Sequence, residues 1–151
     1  MKRQENFINE LQLEFQKKLF SRKKITCSGN AAELSREVFK TTSSHIELKE
    51  YFFVIMLNRA NEVLGYVKIG EGGISGAVAD LRLAYATAIK CLASGIILLH
   101  NHPSANLNPS NADKSLTKKF VDAGHILDIS VLDHIILTTH NHFSFADEGL
   151  I

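Results

Sequence analysis

Apolar positions along the chain gather into short runs separated by glycines and polar turns. Residues 51–57 (Tyr-Phe-Phe-Val-Ile-Met-Leu) are continuously aromatic, aliphatic and β-branched, which predicts a strand buried on both faces. Asn58-Arg59-Ala60-Asn61 reads as a turn into a second strand over 62–69. Residues 96–100 form a further apolar run without alternation, again a buried strand. A strand is expected over 129–138 and a last short one over 143–145. Helical spacing lies between these runs. Asn30 with Glu33 reads as a cap opening a helix over 31–42, and 79–94 is an alanine-rich helix ended by Gly95. A third helix is expected over 111–123, stopped by Gly124. The N-terminal stretch is ambiguous. Ile8, Leu11, Phe15 and Leu19 lie at helical spacing, whereas 11–15 alternates as a half-buried strand does, and a strand over 10–16 is the expectation. The sum is a mixed α/β domain with helices covering a central sheet.

Composition narrows the class. With 151 residues, 45% hydrophobic and 22% charged, the chain supports one domain that buries about 68–70% of its unfolded surface without a staple. A disulfide scaffold and a disordered chain are excluded on these numbers. No apolar run approaches the roughly 20 residues that cross a bilayer, so no membrane association is expected. The start lacks an apolar signal core, so export is not expected. Cys27 and Cys91 stand alone with no CxxC pair, which makes a reducing cytoplasm the expected compartment. The net charge of +1 hides an asymmetry: residues 1–28 carry seven basic against three acidic side chains. Such a basic extension, expected to join the domain at 29–151 through its strand, is either a solvated face or a contact for nucleic acid or an acidic partner. The glycine-rich stretch 70–76 lacks both the GxGxxG spacing and a following Gly-Lys-Ser/Thr. It is expected to be a connection rather than a phosphate cradle.

The stretch that carries chemistry is 100–113. His100 and His102 stand two apart at a strand end, and alternation points both imidazoles to one face. Asp113 falls in the first turn of the following helix, where a carboxylate is electrostatically favoured. Two imidazoles and a carboxylate leave a fourth position for water, the pattern of a catalytic zinc site. Blander readings stand beside this one. Ser110 and Asp113 fit a capping box, and His100 fits a hydrogen-bonded core histidine.

Taken together, His100, His102, Ser110 and Asp113 match His-x-His-x7-Ser-x2-Asp. The chain thereby resembles the JAMM metalloprotease family, also called MPN or JAB. From about residue 25 to the C-terminus it is similar to the RadC-type JAB domain, through 50–54, 100–104, 108–110, 133–136 and 144–149. The resemblance implies a single MPN/JAB domain of cytidine-deaminase-like architecture, in a short form without a helix-hairpin-helix segment. It implies one zinc per chain held by His100, His102 and Asp113. It also implies a general base at Glu50, directly before the aromatic strand and preferred over Glu47, and an oxyanion donor at Ser110. The implied reaction is metal-assisted hydrolysis of a peptide or isopeptide bond. One departure concerns the position after Pro-Ser, where the family often has glycine and this chain has Ala105.

Asp133 and His134 are candidates to orient the metal ligands from behind. His140-Asn141-His142 repeats the local triplet without a matching carboxylate and reads as a hairpin turn. His45 and His125 have no constellation. Other readings are a catalytically silent MPN scaffold, a DNA-associated repair module suggested by the family's name, and a nuclease. The pair of histidines on one strand fits a shared ion better than the ββα unit of His-metal nucleases. A homodimer through the hairpin formed by 51–69 is a further expectation.

Overall fold

The computed structural model describes residues 23–42, 44–72 and 79–151. The elements are helix α1 (Ser28–Thr41), strands β1 (Tyr51–Leu57) and β2 (Val63–Glu71), helix α2 (Leu81–Lys90), strand β3 (Gly95–Asn101), helix α3 (Asn111–Leu127), and strands β4 (Ser130–Leu137) and β5 (His142–Ser144). They form a mixed α/β fold with one five-stranded sheet in the order β2-β1-β3-β4-β5. Only β3 and β4 run parallel, and α3 makes the crossover between them; the other neighbours are antiparallel. The strand expected over 10–16 and most of the basic extension lie outside the described residues, as do 73–78 of the glycine-rich stretch.

The unbroken apolar run of β1 is explained by cover on both sides. Tyr51, Phe53, Ile55 and Leu57 pack with Leu34, Val38 and Phe39 of α1, and with Ile97, Leu99, Ile135 and Leu137. Phe52, Val54 and Met56 turn the other way, onto Ala84, Tyr85 and Ala88 of α2 and Phe120 of α3. Every residue of β1 and β3 is buried, so alternation in hydrophobicity is absent although alternation in direction is kept. The small residues of α2 let it lie close on the sheet.

Boundaries differ from the sequence reading where local chemistry wins. Helix α1 begins at Ser28 after Cys27, because the Asn30 side chain turns back to Thr26, accepting from its N–H and hydroxyl. Helix α2 is shorter than expected, opening on an Asp80 cap and ending at Lys90, with Leu92 left-handed (φ 56°). Helix α3 is longer. Gly124 does not stop it; the helix runs on to Leu127 and ends at a left-handed Asp128. Gly124 serves close approach instead: a Cβ there would lie 2.4 Å from the carbonyl oxygen of Ile129 and 2.9 Å from the Tyr85 hydroxyl.

One irregularity matters for the site. The register between β3 and β4 slips between Ile96 and Ile97, whose partners are Val131 and Asp133, leaving Leu132 as an extra residue. A one-residue bulge reverses which side chains face which layer. Beyond it, Asp133 faces the α1 layer and His134 the α3 layer, opposite to the phase set by Val131.

Candidate metal centre

Four side chains meet at one end of the sheet. Glu50 precedes β1, His100 lies in the last turn of pleat of β3, His102 follows β3, and Asp113 is the third residue of α3. One ligand atom from each lies within 4.8 Å of all the others. Among the described residues this is the one such group of His, Cys, Asp and Glu. His100 Nε2 is 2.9 Å from His102 Nε2 and 3.3 Å from Asp113 Oδ1, with Glu50 Oε1 at 3.9 Å. His102 Nε2 is 3.6 Å from Asp113 Oδ2.

Each member is placed by its backbone. The amide of His102 donates to the carbonyl of Leu137 (3.0 Å), carrying the β3–β4 ladder one step past β3. The turn at Pro103-Ser104 closes with Ala105 N–H donating to His102 O (3.0 Å), and Ala105 is left-handed (φ 60°). That conformation returns the carbonyl of Asn106 to His102, whose Nδ1 donates to it. Glu50 is held from both flanks. Its carbonyl accepts from Gly72 N–H (2.8 Å), while the buried Asn101 side chain accepts from Tyr51 N–H and donates to the carbonyls of Ile46 and Lys49. The middle residue of the His-Asn-His triplet thus pins the segment that carries the acid. Glu47, the other acid considered, accepts from the Thr139 hydroxyl instead and is not in the cluster.

Ser110 and Asp113 form a full capping box: Asp113 N–H donates to Ser110 Oγ, and Asp113 Oδ2 accepts from Ser110 N–H and hydroxyl. The cap and the cluster are therefore one arrangement, with Oδ2 fastened to the helix start and Oδ1 turned to His100. Asp133 and His134, paired by the sequence reading, point to opposite sides of β4. Asp133 accepts from Ser144 hydroxyl (2.7 Å), Ala146 N–H (3.0 Å) and His134 N–H, tying the β4–β5 corner, and it does not reach the cluster. His134 does reach it: His134 Nε2 lies 2.7 Å from His100 Nδ1. The physical reason is the bulge at Leu132, which no glycine or proline in the strand marks. Thr117, one turn after Asp113 on α3, was not singled out by sequence; it is buried and touches both Asp113 and His134. Its only signal is the i, i+4 spacing from Asp113. His140 and His142 sit at the β4–β5 turn, away from any comparable group among the described residues.

Electrostatics favour a positive charge here. The Asp113 carboxylate beside it raises the His102 imidazole above its ordinary value, against the opposing pull of burial. Burial alone would raise Asp113, but its contacts with His100 and His102 dominate and hold it well below the usual carboxylate range. His134 is pushed the other way, well down, by complete burial. The donor set fits a divalent cation. His102 spends its Nδ1 proton on a carbonyl, so the neutral ring turns a bare Nε2 toward the cluster. That nitrogen, His100 Nε2 and two carboxylates converge on one spot from four separate backbone positions.

Comparison with known proteins supplies the family. The family model of the RadC-like JAB domain matches residues 25–150. The UPF0758 protein of Flavobacterium johnsoniae is 42% identical over 128 residues, covering 85% of this chain and 54% of that protein. Those of Chlorobium chlorochromatii and Salinibacter ruber are 40% and 34% identical over 117 and 139 residues, covering 76% and 92% of this chain and 53% and 58% of the relatives. The chain thus spans about half the length of the curated relatives it matches. On the match over 25–150, the chain belongs to the RadC-like JAB domain family.

Proposed function

We propose that this domain is a zinc-dependent amide hydrolase acting on a peptide or isopeptide bond. The observation that carries the reading is the convergence of Glu50, His100, His102 and Asp113 within 4.8 Å. Two imidazole nitrogens and a carboxylate from His100, His102 and Asp113 are the donor set expected of a catalytic rather than a structural zinc site. Zinc, when bound, polarises a carbonyl and lowers the pKa of water from 15.7 toward about 7.

The chain's own groups would do the rest. Glu50 is partly exposed and its Oε1 lies 3.9 Å from His100 Nε2, so its carboxylate would take the proton of the attacking water and pass it to the leaving amine. Such a transfer contributes roughly 10²–10⁴-fold. Asp113 would serve as an anionic ligand, its carboxylate held below the ordinary range by the two histidines against the opposing effect of burial. Ser110 has one hydroxyl proton and spends it on Asp113 Oδ2. To donate to the oxyanion of the tetrahedral intermediate it must rotate off that oxygen, while its backbone N–H keeps Asp113 in place.

Replacing Glu50 by Gln separates binding from chemistry. Glu50→Gln should retain zinc and lose roughly 10²–10⁴-fold in hydrolysis of whichever peptide or isopeptide substrate the wild type cleaves. Full activity in the zinc-loaded variant would remove Glu50 as the base.

A further inference from the structure

Behind the cluster, Thr117, His134 and His100 form one hydrogen-bonded chain. Thr117 Oγ1 is 2.7 Å from the main-chain oxygen of Asp113 and 2.6 Å from His134 Nδ1, and His134 Nε2 is 2.7 Å from His100 Nδ1. Counting protons gives the direction of donation along it. A hydroxyl has one proton and a carbonyl has none, so two oxygens 2.7 Å apart attract only if Thr117 donates to Asp113. Thr117 Oγ1 is then an acceptor toward His134, and Nδ1 of His134 carries a proton. His134 is wholly buried, stacked on Phe145 (4.6 Å between ring centres) and tilted against Phe52. No carboxylate pairs with its ring among the described residues, so a second proton there would be an uncompensated buried charge. Its Nε2 accepts and His100 Nδ1 donates, which leaves His100 Nε2 without a proton; in the metal-free protein the 2.9 Å contact of that nitrogen with His102 Nε2 is then one in which His102 donates, with Asp113 Oδ1 3.3 Å away.

We propose that Thr117 and His134 are positioning residues that set the tautomer of His100, so that its Nε2 is presented to a cation in advance of binding. The inference rests on reading the cluster as a metal site. It differs from an ordinary packing role in one respect. Reversing the chain of donations would leave all three side chains in contact yet place a proton on His100 Nε2, where the cation must bind. The Thr117 hydroxyl, anchored on its own helix backbone, chooses between the two directions. Valine has the same shape and no hydroxyl. Facing a methyl group, His134 Nδ1 is better bare than protonated, because an orphaned buried N–H costs more than an orphaned acceptor. The proton then moves to Nε2 of His134, which donates to His100 Nδ1 and drives the His100 proton onto Nε2.

The test uses the full chain labelled with 15N-histidine, as wild type, Thr117→Val and Thr117→Ser. Imidazole 15N shifts at about pH 8, in protein stripped of metal, report the tautomers directly. The expected result is Nδ1–H for both His100 and His134 in the wild type and in Thr117→Ser, and Nε2–H for both in Thr117→Val. A wild-type His100 in the Nε2–H form overturns the proposal, and that measurement stands even if the valine variant fails to fold. Zinc affinity by chelator competition is the second readout. Thr117→Val should bind about 10–100-fold more weakly, with Thr117→Ser restored to within a few-fold of wild type. Equal affinity in all three, or equal loss in serine and valine, overturns it too. Failure of the metal-site reading shows differently, as a wild type that takes up no zinc whatever its tautomers.

Discussion

Asp113 answers two demands with two oxygens. Oδ2 accepts from Ser110 N–H and hydroxyl and closes the capping box, while Oδ1 faces His100. The helix start therefore orients the ligand, and a residue that looks like a simple cap is also a member of the cluster. Ala105 shows the opposite economy. It is left-handed at φ 60°, a conformation that costs an L-residue about 1–2 kcal/mol, and it is needed to turn Asn106 back to His102. Ala105→Gly should relieve that cost, less the roughly 0.4–1 kcal/mol of extra freedom that glycine gains when unfolded. The expected outcome is stabilisation between zero and about 1.6 kcal/mol in urea unfolding, with zinc affinity unchanged; a loss of stability would contradict it.

Helix α3 carries Asp113, Thr117, Phe120 and Gly124 on one stripe, so a single face delivers a candidate ligand, a positioning hydroxyl, a core ring and a close contact in turn. Its seating on α2 runs through Tyr85, whose hydroxyl donates to the carbonyl of Phe120 (2.6 Å). Burial pushes that phenol up to about 12. An unfolded chain loses the proton near its ordinary value of about 10, so between these values the unfolded state binds fewer protons and stability falls as pH rises. Tyr85→Phe should cost about 0.5–1.5 kcal/mol near pH 8 through the lost hydrogen bond and then decline less steeply above pH 10. Urea unfolding at several alkaline pH values checks this, and parallel slopes would contradict it. At this scale the sequence was legible where periodicity and spacing speak directly. The run 51–57 and the strand pair 96–100 and 129–138 lie where they were read, and the spaced residues His100, His102 and Asp113 meet in one cluster. It was illegible where a side chain acts at long range. The bulge at Leu132 has no glycine or proline to mark it in the strand, yet it decides that His134 and not Asp133 joins the site. Gly124 looks like a helix stop, because close packing against Ile129 leaves no local mark.

For the molecule as a whole, the site forms at the carboxyl ends of the parallel pair β3 and β4, where α3 begins its crossover, with the start of β1 supplying Glu50 from the antiparallel side. Both sheet faces are filled, so the layers hold four backbone positions in fixed relation. Among the described residues no helix is long and apolar enough to cross a membrane. The convergence of Glu50, His100, His102 and Asp113 is proposed to hold a metal ion. Zinc per chain, measured by elemental analysis on purified wild type beside His102→Ala, tests it most directly. About one zinc is expected in the wild type and none retained in the variant. A wild type that holds no zinc after reconstitution, or a variant that holds as much, would contradict it.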